Sequence, residues 1–273
     1  DHGHSVIVLD NFSTGGIENL SNVADKIDIV ECDISKPGEW ASHFNNIDWV
    51  IHLAALADIV PSIQNPGSYF QANVVGTFNV LQAAKSNNVH RFIYSASSSC
   101  YGIPDIYPTP ETAPIQPLYP YALTKRLGEE LVLHFSEVYS LHSISLRFFN
   151  VYGTRSRTSG TDGAVFGVFL AQKLANSPPT SVGDGSQTRD FTYVTDVAEA
   201  VIAACQSERS GLILNVGSNT TVSVNKLAEL IGGDSVNIPK RPGEPDITYA
   251  DITEILSTLS WQPKISIEDK IKK

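Results

Sequence analysis

The sequence predicts an α/β fold, a doubly wound parallel sheet with a smaller C-terminal lobe. Three observations predict it. Up to residue 150, short apolar runs alternate with amphipathic helical stretches, as in strands joined by helical crossovers. The run Arg91-Phe92-Ile93-Tyr94-Ser95 leads into Ala96-Ser97-Ser98-Ser99-Cys100-Tyr101-Gly102. Hydroxyls and a turn glycine therefore sit at the carboxyl end of a strand, where open α/β sheets bind ligands. After Asn150 the chain turns polar and glycine-rich through residue 163, which marks a second unit.

In chain order, strands are expected at 5–9, 27–31, 49–53, 91–95 and 143–148, where branched and aromatic residues cluster. Helices are expected over 66–85, 119–139 and 164–176, where apolar residues recur at helical spacing. The loop at Pro178-Pro179 follows. Residues 190–205 read as a short strand, a turn and a helix, 212–217 as a strand and 224–231 as a helix. From Trp261 onward the chain reads as a polar tail. Residues 1–149 form the first domain, with 190–217 returning to it, and 150–189 with 218–273 form the second lobe.

Composition narrows the class. With 273 residues, 42% hydrophobic and 18% charged, the chain can bury a substantial core. A net charge of −10 argues against non-specific nucleic-acid binding. Cys32, Cys100 and Cys205 are too scattered for a disulfide framework or a metal site. They read as buried thiols in a reducing, cytoplasmic compartment. No apolar run approaches a membrane span and no signal peptide is visible.

The chemistry centres on Tyr121 and Lys125. Four residues apart on a helix, they share one face. An adjacent ammonium is expected to favour the ionised phenol and lower the tyrosine pKa, making Tyr121 a base for a sugar or alcohol hydroxyl. Alone, the pair equally describes a solvated helix face. Ser97 at the preceding strand end could hydrogen-bond the same hydroxyl, although a serine-rich turn also caps backbone groups.

Asp10 ends the first strand and leads into Asn11-Phe12-Ser13-Thr14-Gly15-Gly16. An acidic residue there accepts hydrogen bonds from the adenosine ribose of a dinucleotide and repels a 2′-phosphate, favouring NAD over NADP; the bland reading of Asp10-Asn11 is turn chemistry. Asp33 lies at the next strand end, where an adenine contact is expected. Leu53-Ala54-Ala55-Leu56-Ala57 follows the third strand, and the small residues there would admit a pyrophosphate or nicotinamide ribose to the backbone. No glycine-rich turn precedes Asp10, and the chain contains no methionine. Asp1 is therefore not a translation start, and a preceding strand with a glycine-rich phosphate cradle is expected.

These motifs together resemble the extended short-chain dehydrogenase/reductase family, in its Rossmann-like NAD-dependent nucleotide-sugar epimerase/dehydratase branch typified by UDP-glucose 4-epimerase. The resemblance runs through Leu9-Asp10-Asn11, Val50-Ile51-His52-Leu53-Ala54-Ala55 and Asn73-Val74-Val75-Gly76-Thr77. It continues through Ser97, Tyr121/Lys125, Arg147-Phe148-Phe149-Asn150-Val151-Tyr152-Gly153, Gln187-Thr188-Arg189-Asp190-Phe191 and Arg241-Pro242-Gly243-Glu244. It implies Tyr121 as catalytic base, Lys125 as its electrostatic partner and nicotinamide-ribose ligand, and Ser97 as the hydroxyl that orients the sugar. It implies NAD contacts at Asp10, Asn11, Asp33, Ile34, Leu53, Ala54, Ala55 and Asn73. Asn150, Arg189, Arg241 and Glu244 would hold the nucleotide diphosphate and uridine. The implied reaction removes hydride from sugar C4 to NAD, lets the 4-keto sugar turn over, and returns the hydride to its other face. A homodimer through helices 66–85 and 119–139 is also implied.

Dehydratases of this branch resemble one another in carrying Asp-Glu directly after the hydroxyl residue. Here those positions are Ser98 and Ser99, which leaves elimination without its acid–base pair and favours epimerisation over a dehydratase; a 4-keto reductase, which also lacks them, stays an alternative. Seven residues after Arg241, a tyrosine narrows the sugar pocket of 4-epimerases; here Thr248 stands there, so N-acetylhexosamines are expected to fit as well as glucose and galactose. The rival of another class is a non-catalytic protein or an inactive fragment. By the family's strand order the missing strand lies centrally, beside the strand ending at Asp10, and omitting it exposes unpaired backbone groups. The 273-residue polypeptide is accordingly expected to bind NAD poorly and to be unstable alone; tight NAD binding in a calorimetric titration would contradict this.

Overall fold

The computed structural model describes residues 3–157, 165–232, 235–239 and 244–271. In chain order the first elements are β1 (Ile7–Asp10), β2 (Asp28–Glu31), β3 (Trp49–His52), α1 (Ile59–Gln64), α2 (Pro66–Phe70), α3 (Gly76–Ser86) and β4 (Arg91–Ser97). They are followed by α4 (Pro120–Tyr139), β5 (Ser143–Phe148), β6 (Asn150–Tyr152), α5 (Val165–Leu174), β7 (Thr180–Val182), β8 (Thr188–Arg189) and β9 (Phe191–Tyr193). The rest are α6 (Val194–Gln206), β10 (Leu212–Val216), β11 (Val222–Ser223), α7 (Val224–Ile231), β12 (Val236–Ile238), α8 (Thr253–Leu259) and α9 (Ile267–Ile271).

The central sheet is parallel, in the order β10-β5-β4-β3. β4 is buried on both faces, which is why its sequence is a near-continuous apolar run. Its side chains alternate between two cores, as strand geometry requires. Ile93 joins Ile144, Leu146, Leu214 and the α6 residues Val197, Ala200 and Ala204. Phe92, Tyr94 and Ala96 face the opposite core, with Val80, Leu81 and Ala84 of α3 and Val132 and Phe135 of α4. The sheet is therefore wound on both faces. β1 and β2 form a separate parallel ladder, and Leu9 of β1 packs on the same core as Val50 of β3. Among the described residues no strand joins that ladder to β3.

A third core around Tyr152, Phe166, Phe169, Phe191, Tyr193 and Leu227 builds the C-terminal lobe. The chain re-enters the main sheet at β10, whose partner is β5, while β6 pairs with β9. Buried Asp190 joins these segments: its carboxylate accepts hydrogen bonds from the Ser218 N–H at 2.6 Å, the Ser218 hydroxyl at 2.7 Å and the Ala250 N–H at 3.1 Å.

Several expectations change. The helix expected over 66–85 is broken by a π-helical turn, Gln71–Val75. Asn73 in that turn is pulled inward by buried hydrogen bonds, a local demand that helical spacing does not reveal. A helix at Ile59–Gln64 was not expected, and β9 runs into α6 without a turn. The β1–β2 and β2–β3 crossovers are 3-10 turns rather than α-helices, in segments rich in Gly, Asn and Ser. The polar tail is instead folded onto the protein. Trp261 is buried and donates its indole N–H to the Asp196 carbonyl at 3.0 Å. The Asp196 carboxylate accepts the Lys264 and Ile265 N–H groups. Cys100 and Cys205 are buried, but Cys32 is only half-buried. Among the described residues no group of metal-ligating side chains exists and no helix is long and apolar enough to cross a membrane.

Helix α4 begins with Pro120 in its first turn, where a missing N–H costs nothing. It ends at Ser140 in the left-handed region. Its buried face, Ala122, Lys125, Gly128, Glu129, Val132 and Phe135, follows helical spacing but carries two charges. One of them, Glu129, meets Arg147 of β5 in a two-pronged pair at 2.7 and 3.0 Å, both side chains 1% exposed. Ser145 donates to the same carboxylate, and Arg147 also donates to the Tyr101 hydroxyl at 2.8 Å. Burial pushes the Glu129 carboxyl up, but Arg147, Ser145 and Arg126 outweigh it and hold it below its ordinary value. The stability contributed by the lowered carboxyl is thus present above the ordinary glutamate pKa and lost as pH falls through the depressed value. Replacing Glu129 by Gln strands the Arg147 charge, and urea unfolding at neutral pH is expected to show a loss of about 3–5 kcal/mol. A loss below about 1 kcal/mol would mean that the pair is not what holds α4 to the sheet.

Candidate active site

β4 delivers Ser97 at its carboxyl end, and Ser97 caps a 3-10 turn, Ser98–Tyr101. Its hydroxyl lies 2.8 Å from that of Ser99 and accepts the Ser99 N–H at 3.2 Å. Gly102 closes the turn with φ of 66°, where an added Cβ would strike the Gln116 carbonyl. The first turns of α4 bring Tyr121 to this place, near enough for the Ser97 hydroxyl to act on its phenol. Lys125 follows one turn later, 4% exposed.

The electrostatics correct the sequence reading. Tyr121 is not lowered by Lys125: burial raises its phenol, the nearby Ser97 hydroxyl opposes this, and the Asp58 carboxylate adds to the rise. Burial instead drives the Lys125 amine down to about 7, with Glu129 opposing. A helical spacing of four places two side chains on one face but says nothing of how deeply that face is buried. Burial disfavours charge on both groups.

The strand ends of the first domain fit a dinucleotide. Asp10 accepts the Phe12 N–H on Oδ1 at 2.8 Å, and no described residue bonds Oδ2, leaving an acceptor of the kind that ribose hydroxyls need. Asn11 accepts the Ser13 N–H, so the turn chemistry is present as well. Asp33 is engaged by the Ser35 N–H and hydroxyl and by Lys36 at 3.0 Å. Its carboxyl is held low first by the Ser35 hydrogen bond and then by Lys36. Half-buried Ile34 gives its carbonyl to Asn79.

Leu53 and Ala54 are exposed on the irregular segment after β3, with Ala55 half-buried. That segment is held by Asn73, which is 1% exposed. Its amide accepts from the Leu56 N–H at 2.8 Å and donates to the Leu56 carbonyl and the Thr124 hydroxyl, both at 3.0 Å. Asn73 thus shapes the segment through Leu56, with its own amide fully engaged by the protein. An acceptor at Asp10 and the small side chains of exposed Ala54 and half-buried Ala55 suit NAD.

In the C-terminal lobe, Asn150 donates to the Asp190 carbonyl at 3.0 Å and the Thr248 hydroxyl at 2.8 Å. Both amide hydrogens are used, so it can offer a ligand only its oxygen. Arg189, 6% exposed, pairs with Glu244 at 2.9 Å, and burial lowers its pKa while Glu244 opposes. A pocket of about 530 Å³ opens beside this pair, between the 182–187 turn and residues 244–246. Arg241 lies outside the described residues. The structure therefore gathers Ser97, Tyr121 and Lys125 in one place and Asn150, Arg189, Glu244 and Thr248 in another.

Sequence reasoning missed the layer beneath the pair. Arg147 carried a signal, a guanidinium inside an apolar strand, and Glu129 carried another, a carboxylate on the face shared by Ala122 and Lys125. Tyr94 carried none. His52 was also overlooked; burial lowers its imidazole to about 3, and its Nε2 lies 2.9 Å from the Thr77 hydroxyl. Thr77 gives its own proton to the Asn73 carbonyl at 2.6 Å, so His52 is the donor.

The family model for NAD dependent epimerases/dehydratases matches residues 1–217. The chain belongs to this family. A UDP-glucose 4-epimerase of Mycolicibacterium smegmatis is 33% identical over 284 residues, covering 99% of this chain and 90% of that protein. A UDP-N-acetylglucosamine 4-epimerase from Methanobrevibacter ruminantium, solved with UDP-N-acetylmuramic acid, is 32% identical with a TM-score of 0.93, covering 98% of this chain and 88% of the other. The UDP-glucose 4-epimerase of Thermotoga maritima, solved with UDP-glucose, is 31% identical with a TM-score of 0.92, covering 99% of this chain and 89% of the other. An NAD-dependent epimerase/dehydratase is an enzyme whose fold is the doubly wound α/β sheet described above.

Proposed function

We propose that this enzyme interconverts UDP-sugars epimeric at C4 through a 4-keto sugar, with Ser97, Tyr121 and Lys125 as the catalytic group. The observation that carries this reading is the placement of Ser97, at the carboxyl end of β4, beside Tyr121 and Lys125, one turn apart at the start of α4, with a turn of hydroxyls after Ser97. Ser98 and Ser99 occupy that turn, so it offers no carboxylic acid to expel water from C6. The carboxylate that acts on Tyr121, Asp58, is paired with Arg157 at 2.7 Å.

NAD, when bound, supplies the hydride acceptor and a positively charged nicotinamide ring. Asp10, Asn11, Asp33, Ile34, the 53–55 backbone, Tyr121 and Lys125 are the groups proposed to hold it, with Asn73 acting through Leu56. In the loaded enzyme Tyr121 would first lose its phenol proton to solvent, favoured by the positive charges around it; its phenolate then accepts the C4 hydroxyl proton and returns it after the keto sugar has turned over. Ser97 orients that hydroxyl, and Lys125 completes the polar surface around it. Arg189 is the proposed diphosphate ligand, exchanging Glu244 for phosphate, and Arg241 is proposed for the same ligand from its motif alone. Asn150 accepts from the ligand through its oxygen. Thr248 leaves room for an N-acetyl group, and the likeness to an N-acetylglucosamine 4-epimerase supports this.

Incubating the enzyme, with NAD in large excess to offset the weak binding expected of the 273-residue chain, separately with UDP-glucose and UDP-N-acetylglucosamine is expected to give the C4 epimer of each, with no net NADH and no loss of water. Tyr121→Phe is expected to lower kcat about 10²–10⁴-fold with folding intact. A dehydrated product would overturn the epimerase reading, and turnover of the non-acetylated sugar alone would overturn the role of Thr248.

We also propose a homodimer through α3 and α4. These helices pack together, with Phe78 edge-on to Phe135 at 6.1 Å, yet Phe78 is 41% and Leu123 46% exposed, and such exposed apolar residues are common at interfaces. Sedimentation at micromolar concentration is expected to give twice the chain mass, reduced to the monomer by Phe78→Asp with Leu123→Asp. A monomer without substitution would exclude the dimer.

A further inference from the structure

Tyr94 lies on β4, three residues before Ser97, with its ring 1% exposed. The Lys125 Nζ stands 4.5 Å from the centre of that ring, within the range where an ammonium is attracted by the negative face of an aromatic ring. The hydroxyl of the same ring donates to the Lys125 carbonyl at 3.2 Å. Tyr94 thus holds both ends of Lys125, the charge by its face and the backbone by its edge. Gly128 permits this approach: a Cβ there would collide with the Tyr94 hydroxyl and crowd the Asn73 carbonyl. Burial, reinforced by the Glu129 carboxylate, keeps the Tyr94 phenol protonated far above its usual range, so the ring acts as a neutral π surface.

We propose that Tyr94 is a positioning residue whose ring face seats the Lys125 ammonium against the cost of burying it. The proposal rests on the reading of Lys125 as partner of Tyr121. The titratable groups facing this site are Glu129 from α4, itself paired with Arg147 of β5, His52 from β3 and Tyr121. His52 is neutral throughout the working range, and Glu129 is held ionised, so neither titrates near neutrality. With the Lys125 amine poised at about 7, a modest attraction decides how much of it is charged at neutral pH. A leucine in place of Tyr94 would fill space but present no negative face.

The test is a direct titration of Lys125 in the full chain. The Nζ resonance of [15N]lysine-labelled protein, assigned by its loss in Lys125→Arg, is followed from pH 5 to 10, a range chosen to span about three units above the ordinary histidine region. Tyr94→Phe keeps the ring face and is expected to hold the wild-type midpoint within about 0.3 units, whereas Tyr94→Leu is expected to lower it by about half to one unit. Gly128→Ala, which displaces the ring, is expected to move it the same way. Because Leu or Ala could disturb folding, mono-, di- and trifluorinated phenylalanines at position 94 form the second series. They keep the shape while draining the ring face, and the midpoint is expected to fall stepwise with fluorination. A midpoint indifferent to fluorination, or a Phe variant shifted as far as Leu, would overturn the proposal. If the midpoint shifts but the pH profile of kcat does not follow, Tyr94 still seats Lys125, and the reading of Lys125 as partner of Tyr121 fails instead.

Discussion

The active-site geometry depends on one buried interaction, the two-pronged contact between Glu129 of α4 and Arg147 of β5. Two charges taken out of water are tolerated only when each donor and acceptor is matched. Here the match is extended by Ser145 and by Tyr101, whose hydroxyl passes on to Asn215 of β10 at 2.7 Å. One network thereby joins a helix, two adjacent strands and the turn that follows Ser97. Because Lys125 is four residues before Glu129, fixing the second fixes the first, and Tyr121 lies a further turn up the same helix. The group proposed for catalysis is located by a structural pair buried beneath it.

The same burial sets the chemistry. An exposed Tyr–Lys pair would exchange little more than a screened attraction. Sunk against β4, the phenol is raised and the amine lowered. The site thus resists creating charge before its ligands arrive, and Ser97 is the polar partner that opposes this at Tyr121. In the second lobe Arg189 answers the same problem differently: its buried guanidinium is balanced by Glu244.

The alternation of elements, the parallel order and the residues Ser97, Tyr121, Lys125 and Asp10 were legible because each belongs to a local pattern. An apolar run, a strand end or a spacing of four is written in consecutive residues. Three features were not legible for the opposite reason. The π-turn at Asn73 answers a partner seventeen residues upstream, Leu56. The tail is fastened by Asp196, sixty-five residues before Trp261. Tyr94 looks like any other aromatic in a buried strand until α4 is laid across it.

The sequence by itself determined the α/β class, the hydroxyl–phenol–amine trio and the serines that stand in place of a dehydratase's carboxylates. Those depend on residue type and spacing, which covalent order fixes. Only the tertiary structure decided the direction in which Tyr121 and Lys125 are shifted, the partner that balances Arg189 and the ring on which Lys125 rests. These depend on depth beneath the surface and on contacts between segments far apart in the chain, and both arise only when helix and sheet pack.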